Sequence, residues 1–180
     1  YRPDKMERIY ALFDLEKYRL AEGFQQWIAM MALGSGGTEG LGLGHGRLKM
    51  LYMPFAHTDF IFPMIGEELG IAFTLLVVFA FVLIAIAGIA NAFHANDRFG
   101  SLLAVGLVGF LVFQGALNIG VTTAVLPNTG LPLPFVSYGG TALLSAMAAV
   151  GILLNIYKEG RAEDIEDRFW MKSQRYTPRV

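Results

Sequence analysis

Cysteine is absent from the 180 residues, which excludes a disulfide scaffold and any Cys-ligated zinc or iron–sulfur centre. Charge is scarce. Asp, Glu, Lys and Arg make up 16% of the chain, against roughly 25% in an ordinary soluble domain. Hydrophobic residues make up 54% and the formal net charge is −1. A chain this apolar and this close to neutral collapses or inserts, so disorder is excluded. With 14 basic residues against 15 acidic ones there is no basic excess, and no nucleic-acid partner is expected.

Where the charges are missing says more than how many there are. None falls between Leu69 and Phe93. At about 1.5 Å per residue that stretch is long enough to cross a hydrocarbon core of about 30 Å. The pattern predicts a first span over Pro63–Ala92. Charges vanish again between Arg98 and Lys158, and Pro127, Gly130, Pro132 and Pro134 interrupt that run. Helix cannot continue through them. A second span is expected near Ser101–Ala124 and a third near Tyr138–Ile156, with Ser137 as N-cap of the third. The expected fold is an all-α polytopic membrane protein. Its parts are an extracytoplasmic segment over 1–62 with a short interfacial helix, a three-span region over 63–157 and a cytoplasmic tail over 158–180. The tail carries Lys158, Arg161, Arg168, Lys172, Arg175 and Arg179, and the long N-terminal segment seven basic residues of its own; of the short loops, 91–100 holds Arg98 and 125–136 no charge, which leans towards a cytoplasmic tail on the positive-inside rule. Gly106, Gly109, Gly115 and Gly120, and Ala142, Ser145, Ala146 and Ala149, allow close helix approach and mark the spans as parts of a larger bundle.

Few residues in such a chain carry chemistry. Asp59 precedes the apolar Phe60-Ile61-Phe62. A carboxyl at an apolar helix mouth is partly desolvated, which raises its pKa and suits a general base. The alternative is a helix N-cap. Glu67 and Glu68 lie one to two turns into the expected first span, where acids face a bundle interior or water; one of the pair should face inward. Gln114 and Asn118 are four apart on one face of the second span, a spacing that suits hydrogen bonds across helices. The run Gly34–Gly46 is glycine-rich but lacks the phosphate-binding G-x-x-x-x-G-K-[ST] pattern, and a pliable loop is expected. The spacing of His45, His57 and Asp59 is not diagnostic of a metal site. Arg47 and Lys49, with Arg2 and Arg8, are the cations available to an anionic headgroup or pyrophosphate.

Five strings occur in order: GSGG-x-x-GLGLG at 34–44, K-x-x-Y-x-P-x-AHTDFIF at 49–62, GEELG at 66–70, Q-x-x-x-N-x-G-V at 114–121 and LP-x-x-G-x-x-LPFVSYGG at 126–140. Together they closely resemble the SEDS (shape, elongation, division and sporulation) family, which includes FtsW and RodA. The resemblance covers residues 1 to about 157 and implies that the chain is the C-terminal part of such a protein, beginning in its large extracytoplasmic loop. It also implies peptidoglycan glycosyl transfer in the bacterial cytoplasmic membrane: lipid II is polymerised during division or elongation and undecaprenyl pyrophosphate leaves. The family's essential acid falls on Asp59. His57, Lys49, Arg47, Ser137, Tyr138, Gln114 and Asn118 are the expected substrate-binding residues, and Glu67 and Glu68 the supporting acids. The one cofactor implied is a divalent cation, Mg or Mn, with Asp59 as its candidate ligand. Expected partners are a class B penicillin-binding protein and the divisome or elongasome. Two other readings of the family are a lipid II transporter or flippase and a non-catalytic scaffold for a penicillin-binding protein. Phe55 stands where most members have Glu, Thr129 where some division members have Lys, and Ala56 is closer to FtsW than to RodA.

Overall fold

The computed structural model describes residues 10–175 except 11, 13, 19, 22 and 47–57; from 162 onward it describes the helix path alone. Among the described residues every regular element of secondary structure is a helix and none is a strand. The helices are α1 Phe24–Gly36, α2 Ile61–Leu69, α3 Ile71–Phe93, α4 Arg98–Thr122 and α5 Gly140–Arg175. Among the described residues three stretches are long and apolar enough to cross a membrane: Ile71–Phe93, Arg98–Thr122 and Gly140–Arg161. The chain is thus a multi-pass membrane segment. α3 and α4 leave large apolar side chains exposed, Leu75, Phe79, Leu102 and Phe113 among them, an apolar surface suited to lipid or to further helices.

The expected first span is in fact two helices. Pro63 is tolerated in the first turn of α2, where its missing N–H would have had no helical partner. At Gly70 the backbone turns to φ 81°, ψ −177°, a region open essentially to glycine, and α3 begins at the next residue. The glycine-rich run, largely exposed, closes this break with its backbone. Leu41 N–H donates to Glu67 O (2.9 Å), Gly42 N–H to Glu68 O (3.0 Å), and Ile71 N–H to Gly37 O (3.1 Å). Backbone groups orphaned by the break are thereby satisfied. The approach leaves no space for side chains: a Cβ on Gly36 would collide with Gly66 O.

α4 is the central helix. Ala104, Val108 and Leu111 are buried on it, with Val108 against Gly88 of α3 and Leu111 in one cluster with Ala146 and Ala149 of α5. Gly115 accepts the Phe81 ring. Asp97 caps α4, its Oδ1 accepting from Gly100 N–H (2.9 Å), so the helix starts three residues before the expected Ser101. It stops at Thr122, where Val125 and Leu126 N–H both turn back to Gly120 O (2.8 and 2.9 Å) just ahead of Pro127. α5 begins at Gly140, and Ser137 is not its N-cap. The Ser137 hydroxyl instead accepts from Leu133 N–H (2.8 Å) within the preceding loop. α5 also runs well past the expected end at Ile156.

The bundle therefore has two distinct ends. At one, Asn96 Nδ2 donates to Glu159 O (3.2 Å), joining the α3–α4 turn to α5. At the other lie Asp59, α1 and the 123–137 loop.

Candidate active site

Asp59 sits just ahead of α2, half-buried. The N-cap position of α2 is Phe60, and no side chain caps the helix, so the capping role weighed for Asp59 is not the one it plays. Burial pushes the Asp59 carboxyl above the ordinary carboxylate value, and a hydrogen bond with the Thr58 side chain partly offsets this.

The proline-rich loop comes over this acid. A Cβ added to Gly130, which has φ 66°, would lie 3.3 Å from Asp59 Oδ2. Amide side chains hold the loop there. Asn118 Nδ2 donates to Asp59 O and to Leu131 O, both at 2.7 Å. Gln114 Nε2 donates to Pro132 O (3.0 Å). The two polar residues of α4 thus share a face, as their spacing predicts, but their partners are loop carbonyls and not another helix. Two further residues take part that the sequence reading did not single out. Gln26, 1% exposed, donates to Val121 O (2.9 Å) and Leu126 O (2.7 Å), and Gln25 Oε1 accepts from Asn128 Nδ2 (2.7 Å). A signal was available: adjacent glutamines in an apolar helix too short to span need buried partners.

The other expected residues are distributed differently. Ser137 braces the loop from within, and Tyr138 points outward, 82% exposed. Glu67 is buried and Glu68 half-buried at the end of α2, so one acid of the pair does face inward. A Cβ on Gly46 would lie 2.9 Å from Glu68 Oε1 and 3.1 Å from Glu67 Oε2, which puts both acids beneath the end of the glycine-rich run. Arg47, Lys49 and His57, like Arg2, Arg8, Phe55 and Ala56, lie outside the described residues. His45 is exposed, and no three His, Cys, Asp or Glu side chains converge among the described residues. The described donors therefore do not by themselves fit a divalent-cation site.

Two apolar grooves flank the acid's end of α4. One of about 590 Å³ runs between α4 and α5, with Gln114 and Leu131 in its wall. The other, of about 540 Å³, lies among α1–α4 and is lined by Leu33, Phe62, Thr74, Val78 and Ile119.

The family model for cell cycle proteins of the FtsW, RodA and SpoVE type matches residues 1–162. The chain belongs to this family. It is 46% identical over 134 residues to a probable peptidoglycan glycosyltransferase FtsW of Geobacter metallireducens, covering 74% of this chain and 36% of that protein. It is 40% identical over 159 residues to the stage V sporulation protein E of Bacillus subtilis, covering 88% of this chain and 43% of the relative. The chain thus spans less than half the length of these family members. A solved structure described as "Structural coordination of polymerization and crosslinking by a peptidoglycan synthase complex" superimposes with a TM-score of 0.71 at 28% identity, over 88% of this chain and 43% of that one. The first relative's name carries an enzymatic activity, and the solved complex's title couples polymerisation to crosslinking.

Proposed function

We propose that the protein to which this chain contributes is a peptidoglycan glycosyltransferase that polymerises lipid II, with Asp59 as general base. The observation that carries the reading is the placement of Asp59: a partly desolvated carboxyl, roofed by the Gly130 loop, at one end of three apolar helices. A lipid-anchored sugar presents its headgroup at that depth. A carboxylate with a raised pKa is a stronger base than an exposed one. The 4-hydroxyl of the acceptor attacks the anomeric carbon of the donor, and its proton passes to Asp59. The new C–O bond forms as the bond to pyrophosphate breaks, and undecaprenyl pyrophosphate leaves with the electron pair. The apolar groove lined by Phe62 and Ile119 lies beside this end and suits a hydrocarbon chain. Arg47 and Lys49 are assigned to the pyrophosphate. A Mg or Mn ion would supply further charge neutralisation for that leaving group.

In this reading the Asp59 end faces outward from the bacterial cytoplasmic membrane and the tail after Lys158 is cytoplasmic. A class B penicillin-binding protein is the proposed partner, by analogy with the complex that couples polymerisation to crosslinking. The test is polymer formation from labelled lipid II by the intact purified protein, with and without Asp59→Ala. Wild-type polymerisation lost in the variant supports the reading. A wild-type protein that moves lipid II across vesicles without polymerising it would make this a transporter. One that only retains its transpeptidase partner would make it a scaffold.

A further inference from the structure

The substrate-binding role expected of Asn118 does not fit where the structure puts it. Asn118 is 2% exposed, within α4, behind the acid and the loop. Both hydrogens of its Nδ2 are committed, one to Asp59 O and one to Leu131 O, each at 2.7 Å. The two acceptors lie 72 residues apart in sequence, one ahead of α2 and one in the proline-rich loop. Both partners are carbonyls, so the orientation of the amide is fixed by its bonding. Among the described residues no other hydrogen bond joins the backbone of Asp59 to that of the loop, and apolar packing adds to it, Phe60 sharing a cluster with Leu126 and Phe62 with Leu133.

The remaining tethers hold the loop without touching Asp59. Gln114 takes Pro132 O, Gln26 takes Leu126 O, and Gln25 pairs with Asn128. Asn128 Oδ1 in turn accepts from Gly130 N–H (3.2 Å), the residue whose missing Cβ leaves room for Asp59 Oδ2. Thr122 Oγ1 donates to Asn118 O (2.9 Å), within the same turn of α4. One uncharged amide is therefore the polar joint between the acid and its roof.

We infer that Asn118 is a positioning residue, whose side-chain amide sets Asp59 against the Gly130–Leu131 roof without itself contacting substrate. This rests on the proposed glycosyl-transfer reading and extends it to a residue that acts through the acid. A residue that binds substrate changes KM when truncated. A residue that orients the base changes kcat, and a misplacement of about 1 Å can cost on the order of 100-fold in rate.

The experiment uses the intact protein, purified from membranes and checked for folding by gel filtration and thermal melting, with labelled lipid II as substrate. Asn118→Ala, Asn118→Ser and the near-isosteric Asn118→Asp are compared with Asn91→Ala, which removes a buried amide-to-carbonyl bond (Asn91 Nδ2 to Leu153 O, 2.6 Å) away from the acid. The expected result for the folded Asn118 variants is a fall in kcat on the order of 10–100-fold with KM changed by less than about threefold. Asn118→Asp should fare no better than Ala, because it keeps the volume and loses the paired donors. Folded Asn91→Ala should retain most of kcat. Three results would each overturn the inference: a KM effect that dominates, Asn118→Asp with wild-type kcat, or failure of all three Asn118 variants to fold, which would make the residue structural. Asp59→Asn in the same assay keeps the two claims apart. If it polymerises normally, the base role of Asp59 is wrong, and if the wild-type protein itself forms no polymer, the function is wrong. If Asp59→Asn is inert while the Asn118 variants are normal, only the positioning role is wrong.

Discussion

Gly70→Ala tests how the chain passes from α2 into α3. Two costs meet at that position. At φ 81° and ψ −177° a residue with a Cβ is strained by about 1–3 kcal/mol. The new Cβ would also lie 2.6 Å from Thr38 O and 2.7 Å from Gly40 N. These are backbone atoms of the glycine-rich run, so no rotamer change relieves the contact. Overpacking of this kind costs about 1–3 kcal/mol. The sum is about 2–6 kcal/mol, a large part of the ~5–15 kcal/mol that holds a typical fold. The chain can escape by continuing α2 straight into α3, which would strip the glycine-rich run of its partners. Gly34→Ala is the control, because a Cβ there meets nothing within 4 Å and helix propensity favours alanine by ~1 kcal/mol. Thermal melting of the intact protein, with limited proteolysis across residues 37–46, reads both effects. Gly70→Ala should melt well below wild type and be cut in the run, and Gly34→Ala should do neither. A Gly70→Ala protein that melts with wild type and resists cleavage would refute the account of the helix break.

Gln26→Leu should destabilise the protein by roughly 1–3 kcal/mol, because the buried bond to Val121 O and the part-buried bond to Leu126 O both lose their donor, as denaturant titration of the intact protein can measure. The native chain has no cysteine, so single-cysteine labelling maps topology cleanly. Cysteine at the exposed Thr129 should react with an impermeant reagent from outside, and cysteine at the exposed Asn96 only after the membrane is permeabilised. The reverse pattern would invert the proposed orientation.

The three apolar helices were legible because lipid demands long uncharged runs, and the 69–93 and 98–158 gaps in charge are visible without any structure. The break at Gly70 was not. An isolated glycine inside an apolar run reads as continuous helix, and only the approach of a segment some thirty residues earlier forces it open. The same holds for the glycine-rich run, whose role depends on the carbonyls of Glu67 and Glu68 that it meets. Asp59 stood out as an acid before an apolar helix. Its surroundings did not, because Gly130, Leu131 and Asn118 reach it across 59 to 72 residues of chain. Ser137 shows the opposite failure: a good capping residue just ahead of a helix found a nearer N–H, that of Leu133, inside its own loop.

The central claim is that the carboxylate of Asp59, and not merely its bulk, drives glycosyl transfer. The most direct measurement is the single-turnover rate of lipid II polymerisation by folded, intact Asp59→Asn protein. The amide keeps the size and most hydrogen bonds and removes the base. Loss of a general base typically costs about 10²–10⁴ in rate, and the account predicts a fall in that range with folding and partner binding unchanged. A folded Asp59→Asn protein that polymerises lipid II within about threefold of wild type would contradict it, and the carboxylate would then be structural.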